Sequence, residues 1–463
     1  MKIELSNNLF LTEYSDPFGL EIIERLTMAN PAFQDAVKMD RWTGNIPREL
    51  RFYEKHDNGL AVPRGFLQTL NFMAAGEGER IEIIDKRRTL PEIVFDFSGE
   101  LRGYQEDAVN ATAALDESSL CAPTGSGKTV MALAIIAERQ QPALIIVHTR
   151  ELLKQWIDRI ETFLNIPAYD IGVIGGGKKV IGEKITVAIV NSLYPIAQDI
   201  RHHFGHVIVD ECHRAPARMF TEALAAFDAR YILGLSATPF RRDGMSSAIF
   251  WHCGPLAHKI NQADLEMTGD IVKADVILRH TGFHPSADPA SQYSKALAEL
   301  TEDYHRNALI ARDVATEAAI GGGICLILTD RKKHAEALKD LISRHNVKAD
   351  VLTGESSARE RSEIVERLNR GDIEILIATG QLIGEGFDCK GLSTLFLATP
   401  ISYQGRVIQY LGRVLRPAPG KKRALVFDYI DQDGVLRASA QKRQEIYNRN
   451  KWSIFYEKKN IAA

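Results

Sequence analysis

Eight residues, Ala122-Pro-Thr-Gly-Ser-Gly-Lys128-Thr129, combine a glycine-rich turn with a lysine and a hydroxyl. Apolar runs flank them, Ser119 to Ala122 before and Leu144 to Val147 after, and Val130 to Ala137 reads as helix. A turn that leaves a strand and opens a helix lets backbone N–H groups converge on phosphate oxygens. Pro123, Thr124, Gly125, Ser126 and Gly127 would form that cradle, with Lys128 reaching terminal phosphates and the Thr129 hydroxyl holding Mg²⁺. The general pattern begins with Gly, and this chain has Ala122 there. Downstream, the apolar run that starts at His206 ends in Asp210-Glu211-Cys212-His213. An Asp at the C-terminal end of a buried strand can hold Mg²⁺ through water, and the adjacent Glu can activate an attacking water. Alone, such a pair is a strand-end turn; behind a phosphate loop it reads as catalytic. Further on, Gln409-Tyr410-Leu411-Gly412-Arg413-Val414-Leu415-Arg416 is helical in pattern, and Arg413 and Arg416 share a face. Two arginines on a mobile partner domain can neutralise charge at a γ-phosphate, worth about 10³–10⁵ in rate. A solvated basic face is the ordinary alternative.

Weaker signals accompany these. Leu101-Arg102-Gly-Tyr104-Gln105 puts an aromatic and an amide upstream of the loop, where they could stack on a purine and bond its edge. His148-Thr149-Arg150-Glu151 offers hydroxyl, base and helix N-terminus to a nucleic-acid phosphate. The hydroxyls of Ser236 and Thr238 can bond the acidic turn and transmit nucleotide state. In the first 96 residues, Arg41, Trp42, Arg48, Arg51 and Arg64 interleave bases with aromatics, as a nucleic-acid surface does. The plain alternative makes Trp42 and Phe52 core and the arginines solvated.

These groups need a scaffold. At 463 residues the chain exceeds a single core, and 45% apolar with 25% charged content is ordinary for a globular protein. A formal charge of −3 excludes a wholly basic nucleic-acid coat and permits a local basic channel. Five cysteines without CxxC spacing argue against a zinc site or a disulfide framework and for a reducing compartment. No apolar run approaches a membrane span, so a soluble, cytoplasmic protein without a membrane partner is expected.

Strand and helix patterns alternate from about 100 to 260, with buried runs at Ala143 to Val147, Ile185 to Val190 and Tyr231 to Leu235. A second series begins at Gly323 to Leu328 and continues through Ala349 to Leu352, Glu374 to Ala378, Ser393 to Leu397 and Ala424 to Tyr429. The fold class expected is α/β, two doubly wound parallel sheets preceded by a small α+β module. The expected domains are 1–96, 97–262 and 263–435, followed by a basic tail, 436–463, that packs on the rest. One helix is expected from Gln292 to Ala319, and another from Pro17 to Thr27 behind an Asp16 cap.

In this order the motifs resemble those of superfamily 2 helicases and translocases over about residues 100 to 435. Asp-Glu-Cys-His with Ser236-Ala-Thr-Pro-Phe-Arg-Arg-Asp-Gly looks like the XPB-like and restriction-subunit branch. Arg41-Trp-Thr-Gly-Asn-Ile-Pro-Arg and Leu60-Ala-Val-Pro-Arg-Gly-Phe resemble the module before the motor in phage repair helicases of the UvsW type. The resemblance implies two RecA-like motor domains and the cofactors ATP and Mg²⁺. Lys128, Thr129, Asp210 and Glu211 would serve them; Gln105 would read adenine, and Arg102 would lie at the nucleotide. Glu385, Gly386 and Asp388 would lie at the nucleotide, Gln409 near the γ-phosphate, and Arg413 and Arg416 would be arginine fingers. Thr149, Arg150, Ser192, Thr353 and Thr379 would track one nucleic-acid strand. Tyr410 stands where many relatives have Arg, which leaves one strand or phosphate contact open. The implied activity is 3′–5′ DNA-dependent ATP hydrolysis with translocation or unwinding, in repair or recombination. An RNA-directed enzyme, or a restriction or anti-phage motor with a partner nuclease, stays open.

Overall fold

The computed structural model describes residues 1–456 except 215–217, 238–243, 268, 270, 271, 322, 380–390, 401–409, 412, 413, 415–420, 422 and 423. The chain forms two compact units. One comprises Met1–Ala122 with Gly127–Ile260; the other comprises Asn261–Ala463 and takes in Pro123–Ser126.

The first unit starts with a five-stranded sheet in the order Glu54–His56, Gly59–Val62, Leu9–Thr12, Lys2–Leu5 and Glu82–Asp85. Alternation in Lys2–Leu5 and Leu9–Thr12 buries Ile3, Leu5, Leu9 and Leu11. They pack on Phe18 and Ile22 of helix Asp16–Arg25. Ser15, not Asp16, is the residue before that helix, because Pro17 fits its first turn and draws Asp16 inside.

The second sheet has eight strands in the spatial order Lys178–Val180, Gly172–Gly175, Ile185–Ile189, Ala143–Val147, His206–Val209, Tyr231–Ser236, Glu117–Cys121 and Leu256–Lys259. All neighbours are parallel except the first pair. Continuous burial along Ala143–Val147, Ile185–Ile189 and His206–Val209 is what a parallel sheet covered on both faces requires.

Residues 86–100 are held on this unit. Arg87 pairs with Asp116 at 2.8 Å and Arg88 with Asp228 at 2.8 Å, while Leu90 N–H donates to Gln141 Oε1 and Ser98 N–H to the Phe163 carbonyl. Arg64, expected on a nucleic-acid face or in solvent, is buried. It donates from Nε to Glu117 Oε1 (2.7 Å), from Nη1 to the Ala229 carbonyl (2.7 Å) and from Nη2 to the Arg230 carbonyl (3.0 Å).

The second unit holds a seven-stranded parallel sheet in the order Ala349–Leu352, Ile375–Thr379, Ile324–Thr329, Leu392–Leu397, Ala424–Ile430, Ala274–His280 and Ser453–Tyr456. The helix expected over 292–319 is two, Tyr293–Glu302 and Tyr304–Ile320. Asp303 leaves the helical region (ψ 114°) and its side chain accepts from Arg306 N–H, so a cap interrupts an apolar periodicity that otherwise continues. The basic tail forms helix Gly434–Arg449 and an edge strand beside Ala274–His280, and so belongs to the sheet itself. Buried Arg443 ties it down through Asp428, which also accepts from the Tyr447 hydroxyl at 2.9 Å. Among the described residues no helix is long and apolar enough to cross a membrane.

Candidate active site

The candidate residues of the first unit gather where its strands end. In an open parallel sheet, groups carried past the carboxyl ends of neighbouring strands converge on one edge. Strand Glu117–Cys121 feeds the phosphate loop, Tyr231–Ser236 lies next to it, and His206–Val209 follows with Asp210 at its end.

The loop's backbone uses left-handed angles at Gly125 (φ 93°) and Gly127 (φ 86°), which side chains rarely adopt, before helix Lys128–Arg139 starts. Ser126 Oγ–H donates to the Pro123 carbonyl at 2.7 Å. Lys128 Nζ donates to the Ala122 carbonyl at 2.9 Å, so the ammonium folds back over the turn. Thr129 is half-buried in the first turn of the helix, and Thr124 is half-buried in the loop. Gln105 lies against Gly127, where a Cβ would stand 2.4 Å from Gln105 Nε2. Its Oε1 accepts from Arg102 N–H, and the Arg102 side chain is exposed. Gln105 therefore spans the start of helix Gly103–Ala113 and the end of the loop.

At the acidic turn, Asp210 is buried and each of its oxygens has a donor. Oδ1 accepts Glu211 N–H at 2.9 Å, and Oδ2 accepts the indole N–H of Trp156 at 2.9 Å. Burial, and next the neighbouring Glu211 charge, push the Asp210 carboxyl up to about 6, against the Trp156 bond and the Lys128 charge. Glu211 is itself left-handed (φ 52°), a conformation costing about 1–3 kcal/mol that marks a position held by its surroundings. His213 Nδ1 lies 3.2 Å from Glu211 Oε2 and 3.1 Å from Ser236 Oγ. The Ser236 carbonyl accepts Ala122 N–H at 2.9 Å, so bonded groups run from the acidic turn to the root of the phosphate loop.

Among the described residues no cluster of three or more His, Cys, Asp or Glu could hold a metal by itself. One helix-start hydroxyl and a buried carboxylate beside a phosphate cradle suit Mg²⁺, which keeps waters and substrate phosphates as ligands. The donors present fit that ion.

Thr149 caps helix Arg150–Leu164, its hydroxyl accepting Leu152 N–H at 3.2 Å, and Arg150 is exposed at the same end. Ser192, half-buried, follows the adjacent strand Ile185–Ile189, whose last residue is level with Val147. In the second unit, the registers Leu352↔Ala378 and Thr329↔Thr379 put Thr353, Thr379 and Thr329 in a row at three strand ends. Thr329, which the sequence reading did not single out, is buried and bonded to His334 Nδ1 at 2.8 Å. Thr353 and Thr379 are half-buried. Trp156 was missed as well, since a tryptophan inside an amphipathic helix carries no signal of a polar partner.

Gln409, Arg413, Arg416, Glu385, Gly386, Asp388 and Thr238 lie outside the described residues. Tyr410 is buried. In the N-terminal module, Trp42 is 84% exposed with exposed Arg41, Arg48 and Arg51 near it in sequence, whereas Phe52 packs edge-on against Trp251. The Trp42 ring lies over Gly44, where a Cβ would stand 2.1 Å from it.

Residues 98–241 match the family of the type III restriction enzyme res subunit, and residues 308–418 the helicase conserved C-terminal domain. "Probable helicase D10" of Escherichia phage T5 is 25% identical over 98% of this chain and 95% of its own. The "DNA 3'-5' translocase XPB2" of Sulfurisphaera tokodaii is 27% identical over 75% of this chain and 85% of its own. A solved fragment assigned to an HsdR subunit of a Vibrio vulnificus type I restriction enzyme shares the fold (TM-score 0.60, 18% identity, 78% of this chain and 68% of that one).

Proposed function

We infer that this chain, which belongs to the superfamily 2 helicases in the branch of the restriction res subunits and XPB proteins, is a 3′–5′ DNA motor that remodels duplex or branched DNA. It is an ATP-dependent nucleic-acid helicase with two RecA-like α/β domains. One observation carries the reading of the site. The glycine turn that leads into Lys128, and Asp210-Glu211, follow strands of one parallel sheet, and Ser236, on the strand between, meets His213 through its hydroxyl and Ala122 N–H through its carbonyl. The DNA substrate and the polarity are supported by the similarity to the Sulfurisphaera DNA 3'-5' translocase. The domains proposed are 1–96, 97–262 and 263–435 with the tail 436–463.

In this reading Lys128 turns from the Ala122 carbonyl to the β- and γ-phosphates, and the loop N–H groups hold the rest of the chain of phosphates. Glu211, oriented by His213, takes the proton of the attacking water. Thr129 and Asp210, with Glu211 beside them, would hold Mg²⁺, which supplies neutralising charge to the phosphates when bound. Gln409, Arg413 and Arg416 are proposed to reach the γ-phosphate, Arg102, Glu385, Gly386 and Asp388 to lie at the nucleotide, and Gln105 to contact adenine. Thr149, Arg150, Ser192, Thr353 and Thr379 are proposed strand contacts. The exposed Trp42 with Arg41, Arg48 and Arg51 would meet the duplex, fork or lesion.

The test is the ATPase rate with no nucleic acid, single-stranded DNA, duplex, forked DNA and RNA at fixed salt. Forked DNA should stimulate most, and unwinding should need a 3′ overhang. Lys128→Ala and Glu211→Gln should abolish turnover with melting temperatures unchanged. Turnover in either variant refutes the site. Stronger stimulation by RNA refutes the DNA assignment, and no stimulation at all means the motor waits for a protein partner.

A further inference from the structure

Helix Arg150–Leu164 joins two parts of the site. It begins at the Thr149 cap, with exposed Arg150 in its first turn. Seven residues beyond the cap, about 10 Å along the axis at ~1.5 Å per residue, comes Trp156. Its side chain is 1% exposed, and its indole Nε1–H donates to Asp210 Oδ2 at 2.9 Å. Trp156, Ile160 and Leu164 recur every four residues and make the buried face. Packing alone would be served by a phenyl ring there. An indole adds a buried N–H that must find an acceptor, and the acceptor is this carboxylate.

With Glu211 N–H on Oδ1 and Trp156 N–H on Oδ2, the Asp210 carboxylate cannot turn about its own axis without breaking a bond. Each oxygen keeps a second lone pair for a water or a cation. Partners of this kind behind a ligand orient it and tune the metal.

From these bonds we propose that Trp156 is a positioning residue, which holds Asp210 in the orientation that Mg²⁺ needs and ties that orientation to the nucleic-acid end of the same helix. The proposal rests on the roles read above for Asp210, Thr149 and Arg150. A short helix moves as one body, so a phosphate bound at its N-terminus fixes Trp156 and, with it, Asp210. Linkage makes the effect reciprocal: DNA tightens Mg²⁺–nucleotide binding by the factor by which Mg²⁺–nucleotide tightens DNA binding.

The experiment uses the full chain and two variants. Trp156→Phe keeps the ring and loses the N–H; Ile160→Ala truncates the same buried face one turn on and leaves the Asp210 bond in place. Equilibrium binding of a fluorescent ADP derivative is followed across a Mg²⁺ titration, with and without single-stranded DNA, beside thermal melts. Trp156→Phe should raise the Mg²⁺ concentration at half-saturation about 10-fold, the lower end for loss of such a partner. It should leave metal-free ADP binding unchanged and shrink the DNA-dependent shift. Ile160→Ala should lower the melting temperature and change neither. An unchanged half-saturation in Trp156→Phe, or an equal rise in Ile160→Ala, overturns the proposal, as does a DNA-dependent shift of full size in Trp156→Phe. A wild-type chain that binds no ADP at any Mg²⁺ concentration overturns the functional reading instead, and this proposal with it.

Discussion

Arg64→Ala should loosen the join between the N-terminal sheet and the eight-stranded sheet. Arg64 is 3% exposed and holds three acceptors at once: Glu117, at the start of the strand that feeds the phosphate loop, and the Ala229 and Arg230 carbonyls that precede strand Tyr231–Ser236. The neighbouring Gly65 leaves no room to re-pack, since a Cβ there would lie 2.3 Å from the Phe250 carbonyl oxygen. Removing one partner of a buried ion pair costs about 3–5 kcal/mol, because the other charge stays buried. Arg87 Nη1, 3.5 Å from the same Glu117 oxygen, retains part of the compensation, which places the cost at about 3 kcal/mol. Native-state amide exchange reads this locally: protection in strand Gly59–Val62 should fall by about two decades, at ~1.4 kcal/mol per decade. Arg41→Ala, an exposed arginine of the same module, should stay within about 0.5 kcal/mol of wild type. Equal protection in the two variants would refute the reasoning, for it would mean that the buried arginine holds nothing together.

Two further outcomes follow from buried groups of the second unit. His334 lies between Thr329 Oγ1 and Asn307 Oδ1, and burial, with the Arg306 charge second, pushes its imidazole down to about 3. A folded-state value below the unfolded one, about 6.5, means that the unfolded chain binds the extra proton as pH falls, so stability drops below pH 6.5. Between pH 7 and 5 the loss is about 2 kcal/mol; His334→Gln should remove that part of the acid slope in urea titrations, and an unchanged slope would count against it. Arg443→Ala should cost about 3–5 kcal/mol by leaving fully buried Asp428 without its guanidinium. Exchange in strand Ala424–Ile430 checks it, and a loss under 1 kcal/mol would show that the tail helix is dispensable to the sheet.

Much of the candidate site was legible along the chain because it is local. The phosphate loop needs glycines, a lysine and a hydroxyl in consecutive positions, and covalent spacing alone brings Gly125, Gly127, Lys128 and Thr129 together. The parallel strands announced themselves as continuous apolar runs, since a strand covered on both faces has no polar side to alternate with. Strand ends followed from the same runs, and with them Asp210, Thr149 and Thr353. What stayed hidden depends on which strands become neighbours and which face a side chain takes. Trp156 and Asp210 are 54 residues apart, Arg64 and Ala229 are 165 apart, and no local pattern links either pair. Trp42 and Phe52 are both aromatics among arginines, yet one is bare and the other packs on Trp251, far along the chain. The tail read as a basic segment packed on the rest, and only pairing with Ala274–His280 made its end a strand. Local propensity and covalent spacing determine the motifs; the pairing order of strands and the burial of single polar groups are decided by packing across the sheet, where one hydrogen bond formed or lost outweighs any preference the residue brings with it.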